Sequence, residues 1–153
     1  MGPQMSIKIA INGFGRMGRL ALRAAWHWPE LEIVHINECA GSAQSAAHLL
    51  KFDSQHGIWP ELVEAQDDAI LIGARRIPFT RNRELAATDW TTSGAQVVIE
   101  CTGAFKSAEA LAPYFDQGIA KVVVSAPLKD GSLNIVMGVN QHLYDPERHA
   151  IVT

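Results

Sequence analysis

Gly13-Phe14-Gly15-Arg16-Met17-Gly18 spaces three glycines as G-x-G-x-x-G, a pattern that can bring backbone N–H groups against a pyrophosphate. The first glycine allows a tight turn and the second removes a side chain that would hold phosphate off the backbone. The third lets a following helix pack closely on the preceding strand. The helix N-terminus adds partial positive charge for the phosphates. Twenty positions past Gly18 stands Glu38, where an acid accepts hydrogen bonds from the adenosine ribose hydroxyls. This predicts NAD over NADP: a 2′-phosphate would meet the carboxylate as a like charge, and Cys39-Ala40-Gly41-Ser42 offers no Arg to neutralise it. Without a ligand, the same glycines make only a tight turn and Glu38 is a solvated loop acid.

The elements that must position these residues are legible on either side of them. Ile7-Lys-Ile-Ala-Ile11 is an apolar, β-branched run that stops at Asn12-Gly13, as a buried strand does. Met17, Leu20, Ala21, Ala24 and Ala25 then recur at helical spacing toward Trp28-Pro29, and Ile33–Ile36 is a second strand. Strand, turn, helix and strand make one βαβ unit, which implies a parallel sheet. Ser42 can cap a second helix through Leu50, and Asp53–Gly57 reads as a loop. Short runs at Leu62-Val63, Ile70–Ile72 and Ile77–Phe79 predict a small antiparallel insertion. The parallel pattern resumes with a strand at Val97–Ile99, a helix from Ser107 to Gly118 and a strand at Val122–Val124. A last pair of strands is expected at Ile135–Met137 and Ala150–Val152. The fold class is therefore α/β, a Rossmann-type doubly wound, mostly parallel sheet with a small antiparallel insertion.

Length and composition fit that class. A chain of 153 residues is one domain's worth, and 48% hydrophobic with 19% charged residues describes a globular protein with a real core. Thirteen Lys and Arg against 16 Asp and Glu, with no basic cluster beyond Arg75-Arg76, predict no nucleic-acid partner. No apolar run approaches a membrane span, and the start carries no secretory signal, so a cytoplasmic location without a membrane partner is expected. Met1-Gly-x-x-x-Ser6 formally matches an N-myristoylation pattern, but Met5 reads as an alternative start, making residues 1–5 an N-terminal extension. Cys39 and Cys101 lie far apart without metal-ligand spacing, and six histidines never pair as His-x-x-x-His, so no metal site is predicted. Trp26 and Trp28, flanking His27, are expected to cover core and interface.

Ile11-Asn-Gly-Phe-Gly-Arg-Met-Gly-Arg19 closely resembles the amino terminus of the phosphorylating glyceraldehyde-3-phosphate dehydrogenases. Leu49-Leu-Lys-Phe-Asp-Ser-Gln-His-Gly57, Glu100-Cys-Thr-Gly-Ala-Phe105, Lys121-Val-Val-Val-Ser-Ala-Pro127 and Gly138-Val-Asn140 continue the resemblance in order, over essentially residues 6–153. It implies an NAD-binding domain. Arg16 and Met17 would sit at the pyrophosphate on the Asn12, Gly13, Phe14 and Gly15 turn. Asn37 and Glu38 would face the ribose, and Arg83 the adenine. Thr102, Gly103 and Phe105 would run along the nucleotide, with Ser125 near the nicotinamide. Thr102 and Ser125 each follow a buried strand, where ligands of open α/β sheets bind; a capping role is the alternative.

Asn37-Glu38 departs from the family's usual Asp and looks like the erythrose-4-phosphate branch or an arsenate-resistance-associated branch. Leu128–Met137 and Leu143–Arg148 resemble the latter. The resemblance places the nucleophilic cysteine in a Ser-Cys-Thr-Thr-Asn motif just beyond the position of Thr153, with its histidine in a second domain. No catalytic residue is therefore assigned here, and Cys39 and Cys101 are read as structural thiols. The parent is expected to be a homotetrameric NAD-dependent oxidoreductase, glycolytic or arsenate-linked, and the 153 residues inactive alone with no fixed oligomeric state. The chain's stop after an apolar strand reads as a cut within a longer protein. A stand-alone, non-catalytic nucleotide-binding module is the alternative.

Overall fold

The computed structural model describes residues 5–153; the N-myristoylation pattern and most of the predicted extension lie outside the described residues. The chain begins with β1 (Ile7–Asn12), α1 (Arg16–Ala25), β2 (Leu31–Asn37) and α2 (Ala43–Lys51). A short hairpin, β3 (Phe52–Asp53) with β4 (Gly57–Ile58), precedes β5 (Val63–Ala65), β6 (Ala69–Ile72) and β7 (Arg75–Thr80). Then come β8 (Val97–Glu100), α3 (Ala112–Asp116), β9 (Lys121–Val124) and β10 (Ile151–Val152). The main sheet runs in the order β10-β9-β8-β1-β2-β7-β6-β5. Strands β10, β9, β8, β1, β2 and β7 are parallel to their neighbours, and β7, β6 and β5 turn antiparallel. The antiparallel strands expected over 62–79 are thus present, and they extend the main sheet because β7 docks in parallel beside β2. The expected loop at Asp53–Gly57 is the tip of the hairpin, where Asp53 accepts the backbone N–H groups of Gln55 and His56 at 2.9 and 2.8 Å.

Two apolar layers cover the sheet, as its buried parallel strands require. Ile9 and Ile11 of β1 face one layer, with Leu22 of α1 and Ala46 and Leu50 of α2. Ala10 faces the other, with Val98, Trp90, Leu111 and Tyr114. In β2, pairing passes from Ile33 to His35 and skips Val34. The extra residue is a bulge, and it lets Ile33 and Ile36 enter the same layer despite their odd spacing.

Three expectations change. Ile135–Met137 is not a strand: Leu133 bridges Val152 and the Ile135 N–H reaches the Thr153 carbonyl at 2.7 Å, but the Asn140 side chain accepts the Val136 N–H at 2.7 Å, bending the segment away with Met137 79% exposed. The predicted 107–118 helix is a 3-10 turn at Glu109–Leu111 followed by α3. Pro113 near the start of α3 has no N–H to donate to Glu109, and Ala112 bonds that carbonyl at 3-10 spacing instead. Trp26 packs edge-on against Trp59 with its face under the Arg75 guanidinium, but Trp28 lies 62% exposed rather than in the core.

Candidate functional site

The carboxyl ends of four adjacent parallel strands finish on polar residues in register. Asn12 of β1 pairs with Asn37 of β2 and Glu100 of β8, and Asn37 pairs with Thr80 of β7. Above them opens a cavity of about 320 Å³, lined by Asn12, Gly13, Gly15, Asn37, Glu38 and Cys39 after β1 and β2, by Asn82 and Arg83 after β7, and by Cys101, Thr102, Ala104 and Phe105 after β8. This is where ligands of open α/β sheets bind.

Each glycine of the turn has its own geometric reason. Gly13 is left-handed at φ +87°, and a Cβ there would come within 2.5 Å of the Thr102 backbone nitrogen. At Gly18 a Cβ would strike the Gly13 carbonyl oxygen at 2.2 Å, so the third glycine lets α1 close against the turn itself as well as against Ile11 of the strand. A Cβ at Gly15 would meet nothing within 4 Å. Gly15 lines the cavity and is also the N-cap of α1, whose first turn carries neither a side-chain cap nor an acid. The helix therefore presents its positive end without an internal counter-charge.

Glu38 follows β2 and ties down this turn. One carboxylate oxygen accepts the Phe14 N–H at 2.7 Å and the other the Ala40 N–H at 2.7 Å. Each oxygen keeps a free lone-pair direction for a further donor. Arg19, one turn into α1, donates to the Phe14 carbonyl at 2.9 Å. Burial, reinforced by Arg16 and Arg23, draws Arg19 down from its ordinary value against the attraction of Asp53.

Beneath the cavity floor lies a continuous polar network. The Glu100 side chain is 1% exposed. One of its oxygens accepts the Thr102 N–H at 2.8 Å and the Thr102 hydroxyl at 2.5 Å; the other accepts Asn12 Nδ2 at 2.9 Å and the Tyr114 hydroxyl at 2.5 Å. Burial, with the Glu100 charge beside it, pushes the Tyr114 hydroxyl far above its ordinary value. Asn12 Oδ1 accepts Asn37 Nδ2 at 2.8 Å, and Asn37 holds both backbone groups of Asn82.

The structure therefore brings Asn12, Gly13, Gly15, Asn37, Glu38, Arg83, Thr102 and Phe105 to one cavity. Phe14 contributes its backbone to the rim while its ring is buried in the core. Arg16 and Met17 stand on the exposed first turn of α1, with Arg16 donating to Gln55 at 2.9 Å. Gly103, left-handed at φ +68°, lies exposed on the loop after β8. Ser125 lies apart, in a second cavity of about 310 Å³ with Pro127, Asn134 and Thr153. The Thr102 hydroxyl, bound to Glu100, also accepts the Ala104 N–H at 3.1 Å, so local capping and cavity lining coincide in one residue. Asn82 and Glu100 join the cavity and its floor without having been predicted as site residues. Their signal was a polar residue at or just beyond the carboxyl end of an apolar strand, in Phe79-Thr80-Arg81-Asn82 and Val97-Val98-Ile99-Glu100.

Of the two thiols, Cys39 is exposed and Cys101 half-buried, and both are free. Burial pushes the Cys101 thiol up, against a hydrogen bond from Ser125, opposite to what a thiolate nucleophile needs. Among the described residues no group of three His, Cys, Asp or Glu could hold a metal ion, and no helix is long and apolar enough to cross a membrane.

Comparison with known proteins adds a family to this geometry. A family model described as the glyceraldehyde 3-phosphate dehydrogenase NAD-binding domain matches residues 7–108. The chain is 53% identical over 149 residues to glyceraldehyde-3-phosphate dehydrogenase 3 of a Nostoc species, covering 97% of this chain and 44% of that protein. It is 42% identical to glyceraldehyde-3-phosphate dehydrogenase 1 of Streptomyces avermitilis, over 97% of this chain and 45% of the relative. To glyceraldehyde-3-phosphate dehydrogenase of Geobacillus stearothermophilus it is 38% identical, over 97% and 44%. The chain thus spans a little under half the length of the curated relatives it matches.

Proposed function

Because the chain belongs to the glyceraldehyde-3-phosphate dehydrogenase family through its NAD-binding domain, we propose that the cavity above β1, β2, β7 and β8 is its NAD site and that the residues on its rim divide the cofactor among them. The observation that carries this reading is the strand-end cavity that holds the open face of Gly15 and the Glu38 carboxylate together. The pyrophosphate lies against Gly13–Gly15 and the uncapped start of α1, with Arg16 and Met17 beside it. Glu38 accepts from the ribose hydroxyls through its remaining lone pairs while Asn37 supports it from below. Arg83 and Asn82 wall the adenine. Thr102, Gly103 and Phe105 run along the nucleotide toward Ser125 at the nicotinamide end. The Glu38 carboxylate opposes a 2′-phosphate, so NAD is preferred to NADP.

Bound NAD supplies the nicotinamide ring, which accepts hydride. The chain's own part is to bind, orient and discriminate. In a protein of its relatives' length we propose oxidation of glyceraldehyde 3-phosphate through a cysteine thioester, in a cytoplasmic homotetramer, with phosphate as acyl acceptor and arsenate, an oxyanion of the same shape, as the alternative. The relatives' names favour glyceraldehyde 3-phosphate over erythrose 4-phosphate. With its Cys101 thiol kept protonated by burial, the 153-residue chain binds NAD without turnover.

The site assignment is tested by adding NAD to the isotopically labelled chain and mapping backbone amide shifts. Gly13, Gly15, Glu38, Arg83 and Thr102 should move together, and Gly73 at the far sheet edge should stay still. Perturbation centred elsewhere would overturn the assignment.

A further inference from the structure

Glu100 touches the cavity only through its neighbours, yet its chemistry fixes how they face. An ionised carboxylate only accepts hydrogen bonds, and all four lone-pair directions of Glu100 are met by donors: two from Thr102, one from Asn12 and one from Tyr114. Asn12 must therefore turn its NH2 toward Glu100, where it reaches both the carboxylate and the Tyr114 oxygen, at 2.7 Å. Its carbonyl is then left facing β2, so Asn37 must turn its own NH2 toward Asn12. That sends the Asn37 carbonyl outward to accept the Asn82 N–H at 2.9 Å and the Thr80 hydroxyl at 2.8 Å, while Asn37 Nδ2 also reaches the Asn82 carbonyl at 2.9 Å. Every amide in the row points one way, from the Thr102 wall of the cavity to the Asn82-Arg83 wall.

We propose that Glu100 is a positioning residue for the dinucleotide site, an acceptor-only anchor whose polarity is passed through Asn12 and Asn37 to fix the loop carrying Asn82 and Arg83. This rests on the cavity being the NAD site. A plain packing role for Glu100 makes a different prediction, because shape alone does not care which end of an amide is N or O.

Glu100→Gln keeps the shape and breaks the polarity. Its NH2 cannot face the fixed Thr102 N–H, so it turns toward Asn12, which must either flip or confront it. If Asn12 flips, its NH2 faces the NH2 of Asn37, and the conflict moves to Asn82. Adding Asn12→Asp reverses the polarity of the first link: the carboxylate introduced on β1 accepts from the amide introduced on β8 and still accepts from Asn37, and the row is whole again.

The readout is amide hydrogen exchange in the free chain, with calorimetric titration of NAD alongside. In Glu100→Gln the Asn82 N–H should exchange about tenfold faster, as loss of one buried hydrogen bond implies. Gly73, whose N–H bonds Leu62 at 2.9 Å at the far sheet edge, should be unchanged. NAD affinity should fall by about the same factor. The Glu100→Gln, Asn12→Asp chain should return Asn82 exchange to within about threefold of the parent; if Glu100→Gln alone does not fold, this double variant must fold and meet the same bound. Unchanged Asn82 exchange in a folded Glu100→Gln chain, equal acceleration at Asn82 and Gly73, or failure of the double variant to restore Asn82 would each overturn the proposal. If the parent chain binds no NAD, the site assignment fails, and the exchange measurements still decide whether Glu100 sets the polarity of the row.

Discussion

The Glu38 carboxylate accepts the Phe14 backbone N–H at 2.7 Å, so the acid after the second strand and the glycine-rich turn after the first form one hydrogen-bonded unit. The residue proposed to meet the ribose thus also shapes the turn proposed for the pyrophosphate. Substitutions at 38 must be read with both roles in view.

Glu38→Arg should therefore raise affinity for NADP relative to NAD, by removing like-charge repulsion and adding a guanidinium for the 2′-phosphate. Absolute NAD affinity should fall as well, since the Phe14 and Ala40 N–H groups lose their acceptor. Glu38→Gln, which removes the charge and keeps an acceptor for one of the two N–H groups, should shift the ratio less and lose less NAD affinity. Calorimetric NAD-to-NADP ratios check this, and an unchanged ratio in Glu38→Arg would place the ribose elsewhere.

The three glycines should respond differently to a side chain. Gly15→Val should leave thermal unfolding nearly unchanged, because a Cβ there meets nothing within 4 Å, while NAD binding is lost. Gly18→Ala should destabilise the fold itself, since its Cβ would lie 2.2 Å from the Gly13 oxygen. Melting temperature and NAD titration on both variants separate a ligand-facing glycine from a packing one.

Much of this was legible in the sequence, for physical reasons that differ from residue to residue. The βαβ unit showed because the apolar period changes from a strand's to a helix's across a glycine turn, and Ser42 caps α2 as its type predicts, its hydroxyl accepting the Ser45 N–H at 3.2 Å. Ile135–Met137 misled because an apolar run carries no record of how far a partner runs beside it; here pairing stops after Ile135, where Asn140 captures the Val136 N–H. Asn82 and Glu100 were hidden because their importance lies in pairing across β2 and β1, with partners far away in sequence.

His35 gives the fold a pH dependence. Burial lowers its pKa in the folded chain, against a weaker opposing pull from Asp89, while Nε2 lies 2.9 Å from the Thr80 hydroxyl. The folded state thus prefers the neutral ring more strongly than the unfolded state does. This contribution is fully present above the ordinary histidine value of about 6.5 and is lost as pH falls below it toward the lowered folded value. Melting temperatures between pH 7.5 and 5.5 should drop less in His35→Gln than in the parent chain.

Leu22 is fully buried where α1 docks on the sheet. Leu22→Ala should cost about 2–5 kcal/mol. Urea unfolding measures the loss, and NAD affinity should weaken with it because α1 carries the start of the proposed phosphate site.

The proposed NAD site is tested most directly by calorimetric titration of the 153-residue chain with NAD and with NADP, with dehydrogenase activity assayed on the same sample. The expected result is one NAD per chain, weaker binding of NADP and no turnover. Equal affinity for the two nucleotides, or no NAD binding by a demonstrably folded chain, would rule out the NAD site proposed above β1, β2, β7 and β8.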